Sequence, residues 1–437
     1  MKNYQFYHIY PMGMLGNGKR KINELEQWIS YWKEMNINAV YLGPVFHSKV
    51  HGYDTIDYYR VDERLGNNEM LKSFIKACHY EGIDVILDCV FNHVSRDFFA
   101  FQDVLNKKQT SDYVQWFYLD FSKNNIRNDG FSYGDWAGHH DLVKLNVANP
   151  KVKNYLMKIL QFWMEEFDID GLRFDAADVI ERNFLEELIH YAKQTKPDFY
   201  SVGEMVHGDY RKFLRESSLD SVTNYEIYKG MYSSLNDHNY FEIAYSMKRL
   251  FSKDGVLKEG AQYNFVDNHD VHRAASVLNK EAHLYPLYIM LYTMKGYTSL
   301  YYGSEFGMEG KRTDTSDYEL RKELLWEEVQ REREHPLRKL IMQLSMIRKE
   351  HDFFAFGEYE EILVEHEFII YRRFNTKKNA LIFLNQADTE RRISFQMMKD
   401  LCDKFGLKGY DRLNHEELLE KSKEVIIYPH WGRLLID

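Results

Sequence analysis

Two carboxylates stand where two short apolar runs of this sequence end. Asp175 closes "GLRFD", and Glu204 follows "YSVG". They are 29 residues apart (204 − 175), about one strand plus one helix, so neighbouring parallel strands would present both on one edge of a sheet. An attacking carboxylate with a carboxylic acid about 5 Å away is what retaining hydrolysis of a glycosidic bond requires.

Two more charged residues bear on that chemistry. Arg173 lies two residues before Asp175, on the same strand face, and would keep that carboxylate ionised for attack. Glu204, beside two aspartates, would have its proton affinity raised, as a general acid needs. Asp270, which ends "FVDNHD", would stabilise positive charge on a sugar ring. From these residues alone, a structural ion pair between Arg173 and Asp175 is the alternative.

The elements that must position these groups alternate along the first 350 residues. Runs typical of strands lie at 6–12, 37–46, 83–91, 171–175, 199–204, 221–225, 262–267 and 298–302. Segments of helical period include 22–36, 69–81, 150–167 and 336–352. Eight such units predict an α/β fold, a (β/α)8 TIM barrel, better than an open doubly wound sheet. In such a barrel chemistry belongs at the carboxyl ends of the strands, where the three acids fall.

Two segments depart from this rhythm. About 50 residues after the third strand are loop-like and rich in aromatic residues, Asn and Asp, which predicts an inserted domain at 94–147. The catalytic barrel would then comprise 1–93 and 148–352. From 353 to 437, strands separated by turns, with helix only around 396–421, predict a C-terminal antiparallel β-sandwich domain.

Composition excludes several classes of protein. The net charge of −10 and pI of about 6.0 leave no basic surface for a nucleic acid. The sequence has neither an apolar run near 18 residues nor a recognisable signal peptide, so we expect no membrane association and a cytoplasmic location. Three widely spaced cysteines fit reduced thiols in that compartment.

A metal-dependent barrel hydrolase is the rival reading of the same rim. Its candidate ligands are His139, His140 and Asp141, which fall in the inserted segment. No His-x-His motif follows the first strand. The residues therefore favour the paired-carboxylate reading without eliminating the metal one.

Four stretches at the predicted strand ends occur in a recognisable order: "DVILDCVFNH" (84–93), "GLRFDAAD" (171–178), "VGEM" (202–205) and "FVDNHD" (265–270). Together they resemble the four short conserved regions of the α-amylase family, glycoside hydrolase family 13. "VKLN" (143–146) resembles the fifth region. "HGYDTIDYYRVDERLG" (51–66) and "YYGSEFGMEG" (301–310) look most like the cyclomaltodextrinase, neopullulanase and maltogenic amylase branch.

The resemblance implies roles for the charged residues. Asp175 would be the nucleophile, Glu204 the general acid/base and Asp270 the transition-state stabiliser, while Arg173 would orient Asp175. The positions that resemble sugar-binding residues of the family are Tyr53, His93, His207, His269, Asp317 and Arg321. Of these, Tyr53 would stack on the sugar on the non-reducing side of the cleaved bond. His93 and His269 would bind the hydroxyls of that same sugar. His207 would face the leaving-group sugar.

Two departures from the family pattern limit these expectations. Where typical α-amylases carry a Lys-His pair that serves a structural calcium, this sequence has Ala177, Asp178 and Val179, so no calcium site is predicted and no cofactor is required. The first predicted strand begins at residue 6, so the N-terminal β domain through which that branch dimerises is not expected from this sequence. Cyclodextrin preference and oligomeric state are therefore left open.

These observations predict a retaining hydrolase of α-1,4-glucosidic bonds in malto-oligosaccharides, with cyclodextrins and pullulan as further candidate substrates. The alternatives within the family are an α-1,6-glucosidase, a terminal α-glucosidase and a transglucosylase. A family member that only binds sugar is a further alternative, although such proteins usually lose one of the three carboxylates, and all three are present here.

Overall fold

Eight parallel strands form the centre of the molecule. The computed structural model describes residues 2–258, 260–419 and 424–437. The strands are β1 (Gln5–Ile9), β2 (Ala39–Leu42), β3 (Asp84–Cys89), β4 (Gly171–Phe174), β5 (Tyr200–Gly203), β6 (Ser221–Val222), β7 (Tyr263–Phe265) and β8 (Tyr297–Tyr301). Their order in the sheet is β6-β5-β4-β3-β2-β1-β8-β7, and a parallel bridge between Thr223 and Tyr263 joins its two edges. The predicted TIM barrel is confirmed.

Helices surround the strands. They are Ile29–Glu34, Asn68–Tyr80, Pro150–Phe167, Arg182–Thr195, Tyr210–Ser217, Tyr225–Asn236, Tyr240–Phe251, Ala274–Val277, Leu284–Thr293, Trp326–Arg331 and Pro336–Glu350. The predicted helix at 22–36 is divided, because Ile22–Trp28 forms a 3-10 helix before the α-helix begins. The helix predicted at 150–167 is found with those bounds.

The bounds of Pro150–Phe167 follow from its sequence. The side chain of Asn149 accepts a hydrogen bond from the backbone N–H of Lys151, and Pro150 occupies the first turn, where it loses no hydrogen bond. Asp168 takes the left-handed conformation (φ 56°) and ends the helix.

Aromatic side chains fill the interior of the barrel. The cluster includes Tyr4, Phe6, Tyr41, Tyr200, Tyr263, Phe265 and Tyr297, all buried. Rings of this size can fill a barrel of eight strands without leaving a pore. These rings therefore pack the interior of the barrel and do not face a ligand.

The segment after β3 folds into small antiparallel sheets. His93–Ser95, His139–Lys144 and Asp135–Trp136 make a three-stranded sheet, and Leu119–Asp120 pairs with Ser132–Tyr133. The helix Phe99–Lys107 and two short 3-10 helices, Lys108–Thr110 and Val114–Trp116, complete it. The exact domain boundary at 94–147 stays a prediction.

The region after the barrel is antiparallel, as predicted. Its six-stranded sheet has the order Glu358–Val364, Phe368–Phe374, Asn379–Asn385, Trp431–Ile436, Tyr410–Asp411 and Glu416–Glu417. Arg391–Ser394 pairs with Glu424–Ile427, and the helix Phe395–Phe405 packs beside them. The helical stretch predicted around 396–421 is shorter, since Gly406 ends the helix at φ 69°; residues 420 and 421 lie outside the described residues.

None of the described helices combines the length and the apolarity needed to cross a membrane.

Candidate active site

The register of three adjacent strands places the central charges of the site side by side. Arg173 of β4 pairs with Asp88 of β3 on one side and with Val202 of β5 on the other. The strands are buried on both faces, and their carboxyl ends open into a cleft. Asp175 and Glu204 follow β4 and β5 directly, so both carboxyl groups lie at that opening.

Arg173 forms ion pairs with three carboxylates. Its Nη1 lies 2.9 Å from Oδ1 of Asp88 and 2.8 Å from Oδ1 of Asp175, and its Nη2 lies 2.8 Å from Oε1 of Glu204. The guanidinium is 5% exposed, so water screens these contacts little. The pair foreseen between Arg173 and Asp175 is thus part of a larger network that also includes the candidate acid.

Burial and neighbouring charges set the proton affinity of the two cleft acids. Burial raises the pKa of Glu204, with a further contribution from the charge of Asp270, and Arg173 opposes both. This direction suits a general acid. Burial also raises the pKa of Asp175, to which the charge of Glu204 adds. The contact with Arg173 is therefore what favours the ionised form that a nucleophile needs.

The pKa of the third acid, Asp270, is shifted in the opposite direction. Burial works to raise the pKa of Asp270, but His269 and Arg321 outweigh it and hold that pKa well below its usual range. The Nε2 atom of His269 lies 3.0 Å from Oδ2, and Nη2 of Arg321 lies 3.0 Å from Oδ1. Asp270 is therefore a fixed negative charge at the cleft.

Tyr53 connects the two sides of the site. Its hydroxyl donates to Oδ2 of Asp88 at 2.8 Å and contacts Nε2 of His269. The rings of Tyr53 and His269 are parallel to within 5°, with centroids 5.4 Å apart. Tyr53 lines the cleft, while His269 is buried and packs against the Tyr53 ring. The expectation that Tyr53 stacks on a sugar stays a prediction.

His93 lies on the cleft wall next to the inserted segment. Its Nε2 lies 3.1 Å from the carbonyl oxygen of Tyr53, and its Nδ1 lies 3.1 Å from Nδ2 of Asn92. Burial lowers the pKa of His93 to about 3, so the ring is neutral at physiological pH. The one N–H of the neutral ring therefore donates from Nε2 to the carbonyl oxygen of Tyr53, and Nδ1 accepts from Asn92, so both ring nitrogens have protein partners.

Three other predicted sugar-binding residues, Arg321, Asp317 and His207, have contacts that differ from those of Tyr53 and His93. Arg321 contacts Asp270, donates from Nε to the backbone oxygen of His269 at 3.0 Å, and lies over the ring of Tyr10. Asp317 lies 3.2 Å from Nη2 of Arg321. Both line a second cavity, of about 730 Å³, that adjoins the cleft through the Asp270–Arg321 pair. His207 is exposed. Burial raises the pKa of Asp178, which backbone hydrogen bonding and the nearby His207 only partly offset.

The cleft has a volume of about 390 Å³. Besides the predicted residues, its lining includes Trp136, Leu142, Ala176, Asp178, Val206, Tyr225, Val271 and Arg312. Ala176, Val206, Val271 and Arg312 lie outside the helices and strands, on loops whose course the strand pattern does not determine. Asp178 and Ala176 could have been found, since they directly follow the nucleophile candidate in "GLRFDAAD".

The rival metal cluster is not assembled. His140 pairs with Asp135 at 2.6 Å, and Asp141 pairs with Arg127 at 2.6 Å on the surface. Among the described residues, no group of three or more His, Cys, Asp or Glu side chains is arranged to hold a metal ion. The expectations that the protein requires no cofactor and lacks the usual calcium site of α-amylases stay predictions.

The molecule is a closed (β/α)8 barrel with three acids at its strand ends and an insertion after β3. This combination defines a class of protein. The model of the α-amylase catalytic domain matches residues 16–352, and the chain belongs to the α-amylase family.

Particular relatives narrow the resemblance within the family. The chain is 31% identical over 367 residues to the cyclomaltodextrinase of Geobacillus thermopakistaniensis (strain MAS1). The aligned region covers 82% of this chain and 61% of that protein. It is 32% identical over 370 residues to the maltogenic alpha-amylase of Bacillus acidopullulyticus, again 82% and 61%. The resemblance to that branch is confirmed. The chain spans about three-fifths of the length of these two relatives.

Among solved structures, the cyclic alpha-maltosyl-(1→6)-maltose hydrolase of Arthrobacter globiformis in complex with maltose superposes with a TM-score of 0.82. The match has 21% sequence identity and covers 99% of each chain. At this identity the likeness establishes a shared fold.

Proposed function

We propose that this chain is a retaining α-glucan hydrolase that cleaves α-1,4-glucosidic bonds in malto-oligosaccharides. The observation that carries the proposal is the shared guanidinium of Arg173, which lies 2.8 Å from an oxygen of Asp175 and 2.8 Å from an oxygen of Glu204. Acids held by one cation favour the close spacing of retaining enzymes, about 5 Å, over the roughly 6.5–9.5 Å of inverting ones. Relatives named cyclomaltodextrinase and maltogenic alpha-amylase support the substrate class.

The reaction would proceed in two steps. Asp175 attacks the anomeric carbon while Glu204, whose pKa burial raises, donates a proton to the departing glycosidic oxygen. Glu204, now ionised, takes a proton from a water molecule that hydrolyses the glycosyl-enzyme. Asp270 keeps its negative charge and stabilises the positive charge on the sugar ring in both transition states. Two inversions at one carbon leave the product in the α configuration.

A panel of substrates tests this proposal. Maltotetraose, pullulan, isomaltose and a cyclodextrin are each incubated with the protein, and proton NMR follows the anomer first released. We expect maltotetraose to be cleaved with the α-anomer appearing first. Initial release of the β-anomer would overturn the retaining mechanism. Preference for isomaltose would indicate an α-1,6-glucosidase, products longer than the substrate a transglucosylase, and binding without turnover a protein that only holds sugar.

We also propose that the protein acts in the cytoplasm. The support is its 27% identity over 387 residues to a Bacillus subtilis protein named intracellular maltogenic amylase. Fractionation of cells that produce the full-length protein, followed by immunoblotting, tests this location. Recovery in the culture medium or the membrane fraction would contradict it.

A further inference from the structure

The inward face of β1 ends in a histidine beneath the active site. Phe6 belongs to the aromatic cluster inside the barrel, and alternation along the strand directs His8 to the same interior. Its register partners are Tyr41 of β2 and Tyr301 of β8, and its ring centroid lies 4.2 and 4.8 Å from theirs. His8 is 2% exposed. A polar ring therefore occupies a buried layer of the barrel, next to a layer that holds an apolar one.

Three buried imidazole nitrogens lie in this layer without a hydrogen bond to any described residue. They are Nδ1 and Nε2 of His8 and Nδ1 of His269. The rings of His8 and His269 meet at 81°, with centroids 5.1 Å apart. Ring nitrogens lie off the centroid, so this separation admits an N–H···N hydrogen bond, direct or through one water molecule. Such a bond avoids the free-energy cost of burying unpaired nitrogens.

Contacts at the other nitrogen of His269 show where its proton lies. Its Nε2 lies 3.0 Å from Oδ2 of Asp270 and also contacts the hydroxyl oxygen of Tyr53. The Tyr53 hydroxyl donates its one proton to Asp88, so toward His269 its oxygen can only accept. The ionised carboxylate of Asp270 also only accepts. Nε2 therefore carries a proton, and Nδ1 is the nitrogen that needs a partner.

Stacking fixes the plane of the His269 ring but not which edge faces Asp270. The rings of Tyr53 and Tyr10 are parallel to it within 5° and 12°. A half-turn of the imidazole about its Cβ–Cγ bond keeps that plane and exchanges Nε2 for a C–H group. The two orientations therefore differ in the hydrogen bonds of the nitrogens. A partner for Nδ1 stabilises the orientation in which Nε2 faces Asp270.

His8 can serve Nδ1 whichever charge His269 carries. Burial lowers the pKa of His8 well below its usual range, and the charges of His269 and Arg173 add to that effect. A neutral imidazole has one N–H donor and one acceptor nitrogen. The donor would serve a neutral His269, and the acceptor would serve a protonated one. The titratable and charged groups around His8 are Tyr41, Tyr301, His269, Arg173, Arg273 and Asp270.

We propose that His8 is a positioning residue for the hydrolysis: paired with Nδ1 of His269, it holds Nε2 of that ring on Asp270. The inference rests on the proposed function, because Asp270 is the acid that stabilises the transition state there. The polar ring is then explained, since a phenyl ring such as that of Phe6 would fill the layer without buried polar atoms. His8 lies below the cleft and acts only through His269.

Kinetics on maltotetraose test this role. His8→Phe keeps a flat ring between Tyr41 and Tyr301 but removes both nitrogens, and it should lower kcat about tenfold with KM changed less than about threefold. The acid limb of its kcat profile should move to higher pH, because a weaker contact with His269 raises the pKa of Asp270. His8→Gln keeps a donor and an acceptor, so it should stay within about threefold of the wild-type kcat.

The control removes a buried polar atom at the other end of the barrel. Tyr200, the first residue of β5, bonds through its hydroxyl to Ser221, so Tyr200→Phe should leave kcat and its pH profile unchanged. An unchanged kcat in His8→Phe overturns the inference. Equal losses in His8→Phe and His8→Gln also overturn it, because they indicate that the ring acts by packing alone.

Nitrogen-15 NMR of the histidine side chains separates this inference from the proposed function. The resonances of His269 are identified by their loss in His269→Gln, and thermal unfolding confirms that each variant is folded. We expect the Nδ1 resonance of His269 to move in His8→Phe. It should stay near its wild-type position in His8→Gln, which loses the ring but keeps the hydrogen bond. This result supports the pairing even if the wild type hydrolyses no glucan, and a stationary Nδ1 resonance in His8→Phe overturns it.

Discussion

Nη2 of Arg173 lies 2.8 Å from Oε1 of Glu204, while Nη1 of the same guanidinium lies 2.8 Å from Oδ1 of Asp175. One buried cation therefore contacts both the candidate nucleophile and the candidate acid. Its attraction favours the ionised form of each, which helps the first and hinders the second. Burial and the charge of Asp270 restore the higher proton affinity that Glu204 needs. Burial raises the pKa of Asp175 as well, so the contact with Arg173 is what favours the ionised nucleophile.

Replacing Arg173 should affect both chemistry and stability. Arg173→Lys keeps a positive charge, but an ammonium cannot present two nitrogens to two carboxylates at once. We expect kcat on maltotetraose to fall at least about 100-fold. Unfolding in urea should show a loss of roughly 3–5 kcal/mol, because buried carboxylates lose their partner. Arg312→Lys, at an exposed arginine of the cleft rim, is the control, and equal effects in the two variants would contradict the special position of Arg173.

The two catalytic assignments are tested by isosteric amides. Asp175→Asn removes the nucleophile and Glu204→Gln removes the proton donor, so turnover of maltotetraose should fall by about 10³-fold or more in each. Thermal unfolding should show little change, because each replacement also removes a carboxylate that burial disfavours. Initial rates and differential scanning calorimetry measure the two effects. Near-normal turnover in either variant would show that its assignment is wrong.

The sequence predicts the parts of this protein that depend on regular patterns. Each of the eight apolar runs overlaps a barrel strand, and Asp175, Glu204 and Asp270 lie at the cleft because strand ends in a barrel share one face. The first run is longer than its strand, since Pro11 begins a short helix after β1. Proline disfavours a central strand and suits a first helical turn, so the sequence indicates that β1 ends before Pro11.

The parts that the sequence does not predict depend on loops. Trp136 reaches the cleft through a hairpin with an irregular register between His139 and Val143, which no apolar alternation marks. Arg312 and Val206 lie on loops whose direction is set by tertiary contacts. The contact of Arg321 with Asp270 depends equally on the course of the loop after β8. The sugar-binding role that the sequence resemblance implies for Arg321 stays a prediction.

Removal of Arg321 should change the pH dependence of the enzyme. Arg321 helps keep the pKa of Asp270 low, so Arg321→Met should raise that pKa. Asp270 must be ionised to stabilise positive charge, and the acid limb of the kcat profile should therefore shift to higher pH. A depressed folded-state pKa contributes stability above the unfolded value, about 3.9, and that stability is lost as pH falls. The variant should lose part of it at neutral pH.

The adjacent residue supplies the control for this prediction. Lys322→Met also removes one positive charge, but Lys322 pairs with Glu319 and does not contact Asp270. Rates on maltotetraose and thermal unfolding are measured between pH 3 and 8 for both variants. If the two profiles coincide, Arg321 does not act on Asp270 and the assignment falls.

A last prediction concerns the junction of the barrel with the C-terminal sheet. Arg373, fully buried in Phe368–Phe374, donates to the backbone oxygens of Glu358, Thr293, Phe353 and Gly357 at 2.7–3.2 Å. Thr293 ends a barrel helix, so this side chain joins the two regions. Arg373→Met should destabilise the protein by about 4 kcal/mol, because several buried carbonyl oxygens lose their donor.

The neighbouring arginine makes the comparison specific. Arg372 points to the other face of the same strand and pairs with Glu360 at 2.9 Å, partly exposed to water. Arg372→Met should cost about 1 kcal/mol or less, as exposed pairs do. Urea denaturation followed by circular dichroism measures both variants. Arg373→Lys should recover little of the loss, since one ammonium cannot reach four carbonyls spread over a planar fork. A loss below about 1 kcal/mol in Arg373→Met would mean that apolar packing alone holds the junction.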